Sequence, residues 1–550
     1  MKEPSGSTRA QCRQQWLERV DLALRTDGLQ VAAQLAQQAL AEGVEDASLM
    51  NLAASALYRE RRFDEATQLL KHARSLAPRD PDVLNSLGIC LRALGRTEEA
   101  LQVYEAALRI DPGMAPAHFN RGAVLNELND IGAARAAYER AADLNERYAE
   151  PLAALASLDA KAGDAVSARA LGARALALAP SNVAARLAMA SAELQQGDFA
   201  AAAERLSALR QDSSLTPVNR SIVLSLTGDL HDAESRPSEA FSAYAASNAE
   251  LRNVNAPRFE APRMTTALEQ TRQLIGWFDA ADPEPWREEA AVRPRAADPK
   301  AHVFLVGFPR SGTTLLENVL AAHSEVVSLE EKDCLASVAA PYLTPEGLQR
   351  LARINPGEAA RKRDAYWSCV REHGVEPRGR VFVDKMPLSS GLLPIVAKLF
   401  PGARVLFARR DPRDVVLSCF RRRFGMNASM YQLLTLEGAA AYYDAIMKLS
   451  AIYRELLPLP LLEVRYESLV DDFETTVTSV SKFLGIGWEQ AMLDFAANAR
   501  RRDISTPSAA QVVRGLNRAG QGAWRRYREQ MAPVLPLLEP WVRRFGYEPS

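Results

Sequence analysis

Val303 to Asn318, VFLVGFPRSGTTLLEN, is the stretch that decides the fold of the second half of this chain. The apolar run Val303 to Val306 predicts a buried strand; Gly307, four residues and Gly312 follow, then Thr313, Thr314 and a helical pattern. Loop amides and a helix N-terminus that converge after a strand make a cradle for an anion, to which Arg310 adds charge. One element of the pattern is absent. A nucleoside triphosphatase loop reads G-x-x-x-x-G-K-[ST], its lysine reaching the β- and γ-phosphates, and Thr313 stands in that place here.

Outward from this loop, short β-rich runs alternate with helical segments: HVFLVGF (302–308), RVFVDK (380–385), ARVLFARR (403–410) and LLEVRY (461–466). That alternation predicts a parallel α/β sheet, in which ligands sit beyond the carboxyl ends of the strands. Lys385 ends the second run, and Arg410 ends the third. Asp411 and Pro412 then read as an N-cap with proline at the first helical position, placing Ser418 about two turns along and Arg421, Arg422 and Arg423 beyond it. Two separated anion sites predict a ligand phosphorylated at two points. Asp384 keeps a rival open, a P-loop kinase or ATPase that holds Mg²⁺ through this carboxylate.

The first half repeats itself. Ala32, Ala66, Ala100, Ala134, Ala168 and Ala202 are spaced by 34 residues, and Ala39, Ala73, Ala107, Ala141 and Ala175 keep the same period. Ala54, Gly88, Gly122, Ala156 and Ala190 form a third series, and Pro78, Pro112 and Pro180 share a phase. Small residues at fixed points predict helix pairs that cross closely, with proline ending the second helix of each pair. The segment 81–114 resembles the tetratricopeptide repeat, and the resemblance covers about residues 13–212, with a degenerate copy around Gly228, Ala240 and Tyr244. Such a solenoid implies a concave groove that holds a peptide or protein partner. The expected layout is an all-α solenoid over 13–250, a linker with one helix (TTALEQTRQLIGWF) over 251–300, and an α/β domain over 301–550.

Bulk composition excludes several classes. The 550 residues carry 67 Lys+Arg and 68 Asp+Glu, so no overall charge favours nucleic acid. Residues 1–300 have 34 basic and 41 acidic side chains (net −7) and 301–550 have 33 and 27 (net +6), which makes the second half the better anion host. The apolar runs are too short for a membrane span, and the N-terminus lacks the apolar core of a signal peptide. Cys12, Cys90, Cys334, Cys369 and Cys419 form no C-x-x-C pair, which argues against a disulfide framework and a thiolate zinc site, while the six histidines form no close pair. A cytoplasmic protein with no metal is therefore expected.

GFPRSGTTL, DKMP and RRDPRDVVLS together resemble the 5′-phosphosulfate loop, the catalytic-lysine strand and the 3′-phosphate motif of sulfotransferases that use 3′-phosphoadenosine 5′-phosphosulfate (PAPS). Residues 302–535 are similar to tyrosylprotein sulfotransferases and their bacterial relatives fused to tetratricopeptide repeats. The resemblance implies a P-loop-like parallel-sheet sulfotransferase domain in which Arg310, Ser311, Gly312, Thr313 and Thr314 hold the 5′-phosphosulfate. It places Arg410 and Ser418 on the 3′-phosphate, Arg422 at a further donor contact and Tyr466 beside the adenosine. Glu331, 21 residues after Arg310, falls on the catalytic base and Lys385 on the catalytic lysine, with Arg310 and Ser508 stabilising charge. STPSAAQVVRGLNRAGQGAWRRY (505–527) resembles the donor-covering loop and places Ser508, Gln511, Val512 and Asn517 near PAPS. One position departs from the family pattern. Ala523 precedes Trp524 where tyrosylprotein enzymes carry lysine, leaving Arg518 or Arg525 to supply that charge. Peptide tyrosine is the acceptor the resemblance suggests, with carbohydrate and small phenols open. A non-enzymatic repeat scaffold is the remaining alternative, and a homodimer through the repeats or the apolar segment 531–547 is a further expectation.

Overall fold

A computed structural model describes residues 6–262, 264–287, 298–499, 512 and 515–549. They divide into two compact units, one of residues 1–160 and 165–192, the other of 161–164 and 193–550.

The first unit is a succession of helical hairpins such as Pro81–Ala93 with Thr97–Ile110 and Ala115–Glu127 with Ile131–Leu144. Asp80 caps the first of these helices by accepting from the amides of Asp82 and Val83, with Pro81 in the opening turn. The periodic alanines are its crossing points: Ala32, Ala66, Ala100, Ala134 and Ala168 are all completely buried. Gly88 shows why the third series stays small. A Cβ there would lie 2.5 Å from the Tyr104 ring, and one at Gly122 would lie 2.7 Å from Tyr138.

The second unit includes, after the helix Phe199–Arg210 and ahead of its sheet, a hairpin of the same construction, Pro217–Ala233 and Pro237–Phe259. At Gly228 an added Cβ would meet Tyr244 at 2.5 Å, and the sixteen-residue step from glycine to tyrosine is the one seen at 88 and 122. This hairpin packs on the α/β part. Asn248 donates to the Phe420 carbonyl at 2.9 Å, Phe241 stacks on Phe420 at 4.9 Å, and Asp232 pairs with Arg421 and accepts from Tyr527 at 2.7 Å. The helix Ala267–Ala280 follows, its start set by a capping box between Thr266 and Glu269. Phe278 and Trp286, beyond it, are buried.

Five parallel strands, β1 (Ala301–Gly307), β2 (Val326–Glu330), β3 (Val381–Lys385), β4 (Arg404–Arg409) and β5 (Leu461–Arg465), lie in the order β2-β3-β1-β4-β5. Strand alternation sends Val303 and Leu305 into one core and Phe304 and Val306 into the other, so both faces of the sheet are covered. Four of these strands coincide with the runs read from sequence. The edge strand β2 does not, because VVSLE is short and closes on acidic residues.

One expectation is corrected. Cys334 and Cys369 are joined by a disulfide between the helices Cys334–Ala339 and Pro356–Glu372. Thirty-five residues separate them, so only the packing of those helices brings them together. The bond removes one support for a reducing compartment. At the other end of the unit, Leu538, Trp541 and Val542 of the helix Leu535–Arg544 are buried within it, and Trp541 donates to Asp444 at 3.0 Å. No helix among the described residues is long and apolar enough to cross a membrane.

Candidate active site

The strand-to-helix turn after β1 is built around two left-handed residues. Arg310 (φ 69°) and Gly312 (φ 97°) bend the chain so that the helix Thr313–Ala321 begins without a side-chain cap on its first amides. Only glycine fits at 312, where a Cβ would lie 2.7 Å from the Tyr466 ring. Buried Ser311, Thr313 and Thr314 complete the turn.

Arginines surround it. Arg310 is buried and donates through Nε to Ser418 Oγ at 3.0 Å, while Arg410 donates to the Arg310 carbonyl at 3.1 Å and to that of Gly520. The Arg410 guanidinium also lies 4.8 Å from the centre of the Tyr466 ring. Burial, followed by repulsion from Arg422 and Arg410, pushes Arg310 down to about 9. The smaller share of this shift comes from the two neighbouring arginines, and it is that repulsion which an anion bound there would relieve.

The catalytic candidates meet at the ends of β2 and β3. Lys385 is fully buried, with Nζ 2.8 Å from Glu331, 3.2 Å from Glu330 and 3.7 Å from Glu317. Burial opposes its charge, but Glu330, Glu331 and Glu317 outweigh that and hold Lys385 above its ordinary value. Burial, partly offset by Lys385 and reinforced by Glu317 and Glu331, raises Glu330 to about 7. Glu331 takes a left-handed backbone (φ 47°), its amide donating to the Lys385 carbonyl at 2.9 Å. That bond lifts its partly exposed carboxylate out of the sheet and over the lysine.

A cavity of about 550 Å³ joins these parts, lined by Arg310, Gly312, Thr313, Thr314, Glu331, Arg410, Tyr466, Val512 and Asn517. Lys385 lies behind Glu331 and outside the lining. The structure also separates some expected contacts. Ser418 is held by Arg310 and Arg422 pairs with Asp229 at 3.5 Å, both outside the cavity lining. Ser508 and Gln511 fall outside the described residues. Asp384 points its carboxylate at the Tyr366 hydroxyl, 2.6 Å away, and is absent from the lining, which removes the geometry for a Mg²⁺ ligand there. Neither stand-in for the lysine missing at Ala523 lines the cavity: Arg518 pairs with Asp471 at 2.7 Å and Arg525 with Glu548 at 3.7 Å. Among the described residues, Cys334, Cys369 and His373 bring possible metal-ligand atoms within 4.8 Å of one another, but the two sulfurs are bonded together.

Sequence reasoning missed Glu317 and Glu330 as partners of Lys385, and the cavity wall supplied by Ala267–Ala280. A carboxylate inside the apolar helix TTLLENVLA was the available signal for Glu317.

Residues 302–490 match the model of the sulfotransferase family. Tetratricopeptide-repeat models match 17–81, 51–115, 115–148, 159–214 and 187–250. An uncharacterized protein of Aquifex aeolicus is 25% identical over 266 residues, which are 46% of this chain and 34% of that protein, so this chain spans about a third of that relative's length. Protein-tyrosine sulfotransferase 2 of Gallus gallus is 27% identical over 273 residues, 45% of this chain and 69% of that one. Among solved structures, a tetratricopeptide repeat protein from Parabacteroides merdae aligns over 44% of this chain and 93% of its own, at 17% identity and a TM-score of 0.34.

Proposed function

We propose that this chain, whose residues 302–490 are of the sulfotransferase kind, moves a sulfuryl group from PAPS to an acceptor hydroxyl. The observation that carries the reading is a cavity lined both by an arginine-rich anion turn and by Glu331, with Lys385 directly behind Glu331 at 2.8 Å. Arg310 and the amides of residues 312–314 would take the 5′-phosphosulfate, with Arg410 and Tyr466 near the 3′-phosphate and the adenine. The acceptor oxygen attacks sulfur, the bond between sulfur and the 5′-phosphate oxygen breaks, and adenosine 3′,5′-bisphosphate leaves. Glu331 takes the acceptor proton, and Lys385 and Arg310 stabilise the charge that develops on the leaving oxygen. Peptide tyrosine is the acceptor suggested by the name of the Gallus gallus relative, with the repeats recruiting acceptor or partner.

Calorimetry with adenosine 3′,5′-bisphosphate tests the reading. Binding of the bisphosphate in preference to ATP with Mg²⁺ is expected. Tight ATP·Mg²⁺ binding without affinity for the bisphosphate would sink it in favour of a kinase.

A further inference from the structure

We infer that the acceptor is an uncharged phenol or alcohol carried on an apolar body, received by a wall that includes the helix Ala267–Ala280. This rests on the sulfuryl-transfer reading and, within it, sets an apolar phenol or alcohol in place of the peptide tyrosine that the Gallus gallus relative's name suggests. Beyond the anion turn, Leu274, Leu343, Leu392, Phe424, Ile446 and Leu449 line the cavity. Leu274 comes from Ala267–Ala280, outside the residues that match the family, and that helix packs along Leu436–Leu456, which supplies Ile446 and Leu449.

Charge narrows the acceptor further. Among the described lining residues the cations are Arg310 and Arg410, which belong to the anion turn, and the remaining ionisable groups are Glu331, Asp333 and the Tyr466 and Tyr442 phenols. An acidic peptide would bring carboxylates toward Glu331 and Asp333 and against aliphatic side chains, where the described lining residues offer no further cation to meet them. A sugar would need several unused polar partners. Thr271 already donates to the Ala267 carbonyl at 2.8 Å and Tyr442 to Ser429 at 3.0 Å, so these two hydroxyls have their protons engaged and would meet a sugar as acceptors only. An apolar body covers the wall without such costs and leaves its hydroxyl for Glu331.

The test uses the full chain and radiolabelled PAPS, with 2-naphthol, phenol, N-acetylglucosamine and an acidic tyrosyl peptide as acceptors, and calorimetry with adenosine 3′,5′-bisphosphate alongside. The expected kcat/KM for 2-naphthol exceeds that for peptide and sugar by about tenfold or more. Leu274→Glu lowers the 2-naphthol value by about tenfold while bisphosphate affinity holds. Should that variant not fold, Leu274→Trp decides, since filling the wall without charge must lower the ratio of 2-naphthol to phenol turnover. Preference for peptide or sugar, indifference to the Leu274 substitutions, or bisphosphate binding without transfer to either phenol overturns the inference. Failure to bind the bisphosphate at all overturns the sulfuryl-transfer reading itself, and calorimetry tells the two failures apart.

Discussion

Lys385 is buried among Glu317, Glu330 and Glu331, and its role can be separated from that of each carboxylate. Glu331→Gln keeps the shape of the site and removes the carboxylate proposed as the base, so kcat for sulfuryl transfer should fall by about 10²–10⁴-fold with bisphosphate affinity unchanged. Lys385→Met removes the cation from buried Glu317 and mostly buried Glu330 as well as from the proposed reaction. Denaturant melts should show a loss of about 3–5 kcal/mol beside the lost activity, which distinguishes it from the Glu331 variant. Glu330 gives a pH signature. Its carboxyl is raised from 4.5 to about 7 in the folded protein, so the folded state binds the extra proton and stability falls as pH rises through that window. Asp384, lifted to about 7 chiefly by burial, contributes in the same direction. Glu330→Gln should therefore flatten, without abolishing, the decline in Tm between pH 4.5 and 7; an unchanged slope would place the titration elsewhere. Much of the anion turn was legible in sequence, because glycine, threonine and arginine at fixed spacing express a backbone conformation. Glu317 was not, since which helical carboxylate faces a lysine 68 positions away depends on the β1–β3 register.

Among the elements, the helical hairpins were read from alanine spacing because their crossings admit nothing larger. Gly88 is the sharpest instance. In Gly88→Ala the new methyl meets the Tyr104 ring at 2.5 Å, and overpacking of this kind should cost about 1–3 kcal/mol in the solenoid's thermal transition. Pairing it with Tyr104→Leu should recover part of that loss in a double-mutant cycle; strictly additive effects would mean the contact is not what keeps position 88 small. In the sheet, β1, β3, β4 and β5 were visible as β-rich runs, while β2 is specified by its pairing with β3, Ser328 opposite Val383 and Glu330 opposite Lys385. The Cys334–Cys369 bond was hidden for the same reason: helix packing, which has no local signature, makes it.

At the scale of the whole molecule, the last repeat-like hairpin is structurally part of the unit that holds the cavity. Its sequence belongs with the tetratricopeptide repeats, whose models reach residue 250, whereas its contacts belong with the sheet's helices. Asp232 shows how strongly. Burial opposes its charge, but Arg421, Tyr527 and Arg526 together hold the carboxyl below its ordinary value, and the stability this supplies is present at neutral pH and lost as acid protonates it. Asn248 and Phe241 add a hydrogen bond and a ring stack on Phe420. A fragment of residues 193–550 should therefore unfold cooperatively and bind adenosine 3′,5′-bisphosphate as the full chain does. A fragment of 251–550 loses Asp232, Phe241, Tyr244 and Asn248 together, exposing Phe420 and leaving Arg421 without its buried partner. Removing one member of such a pair costs about 3–5 kcal/mol before the lost ring contacts are counted, a large share of the stability of any domain. Loss of the cooperative melt in 251–550 is the expected result. If that shorter fragment instead binds the bisphosphate with unaltered Kd, the hairpin is an appendage of the catalytic fold rather than part of it.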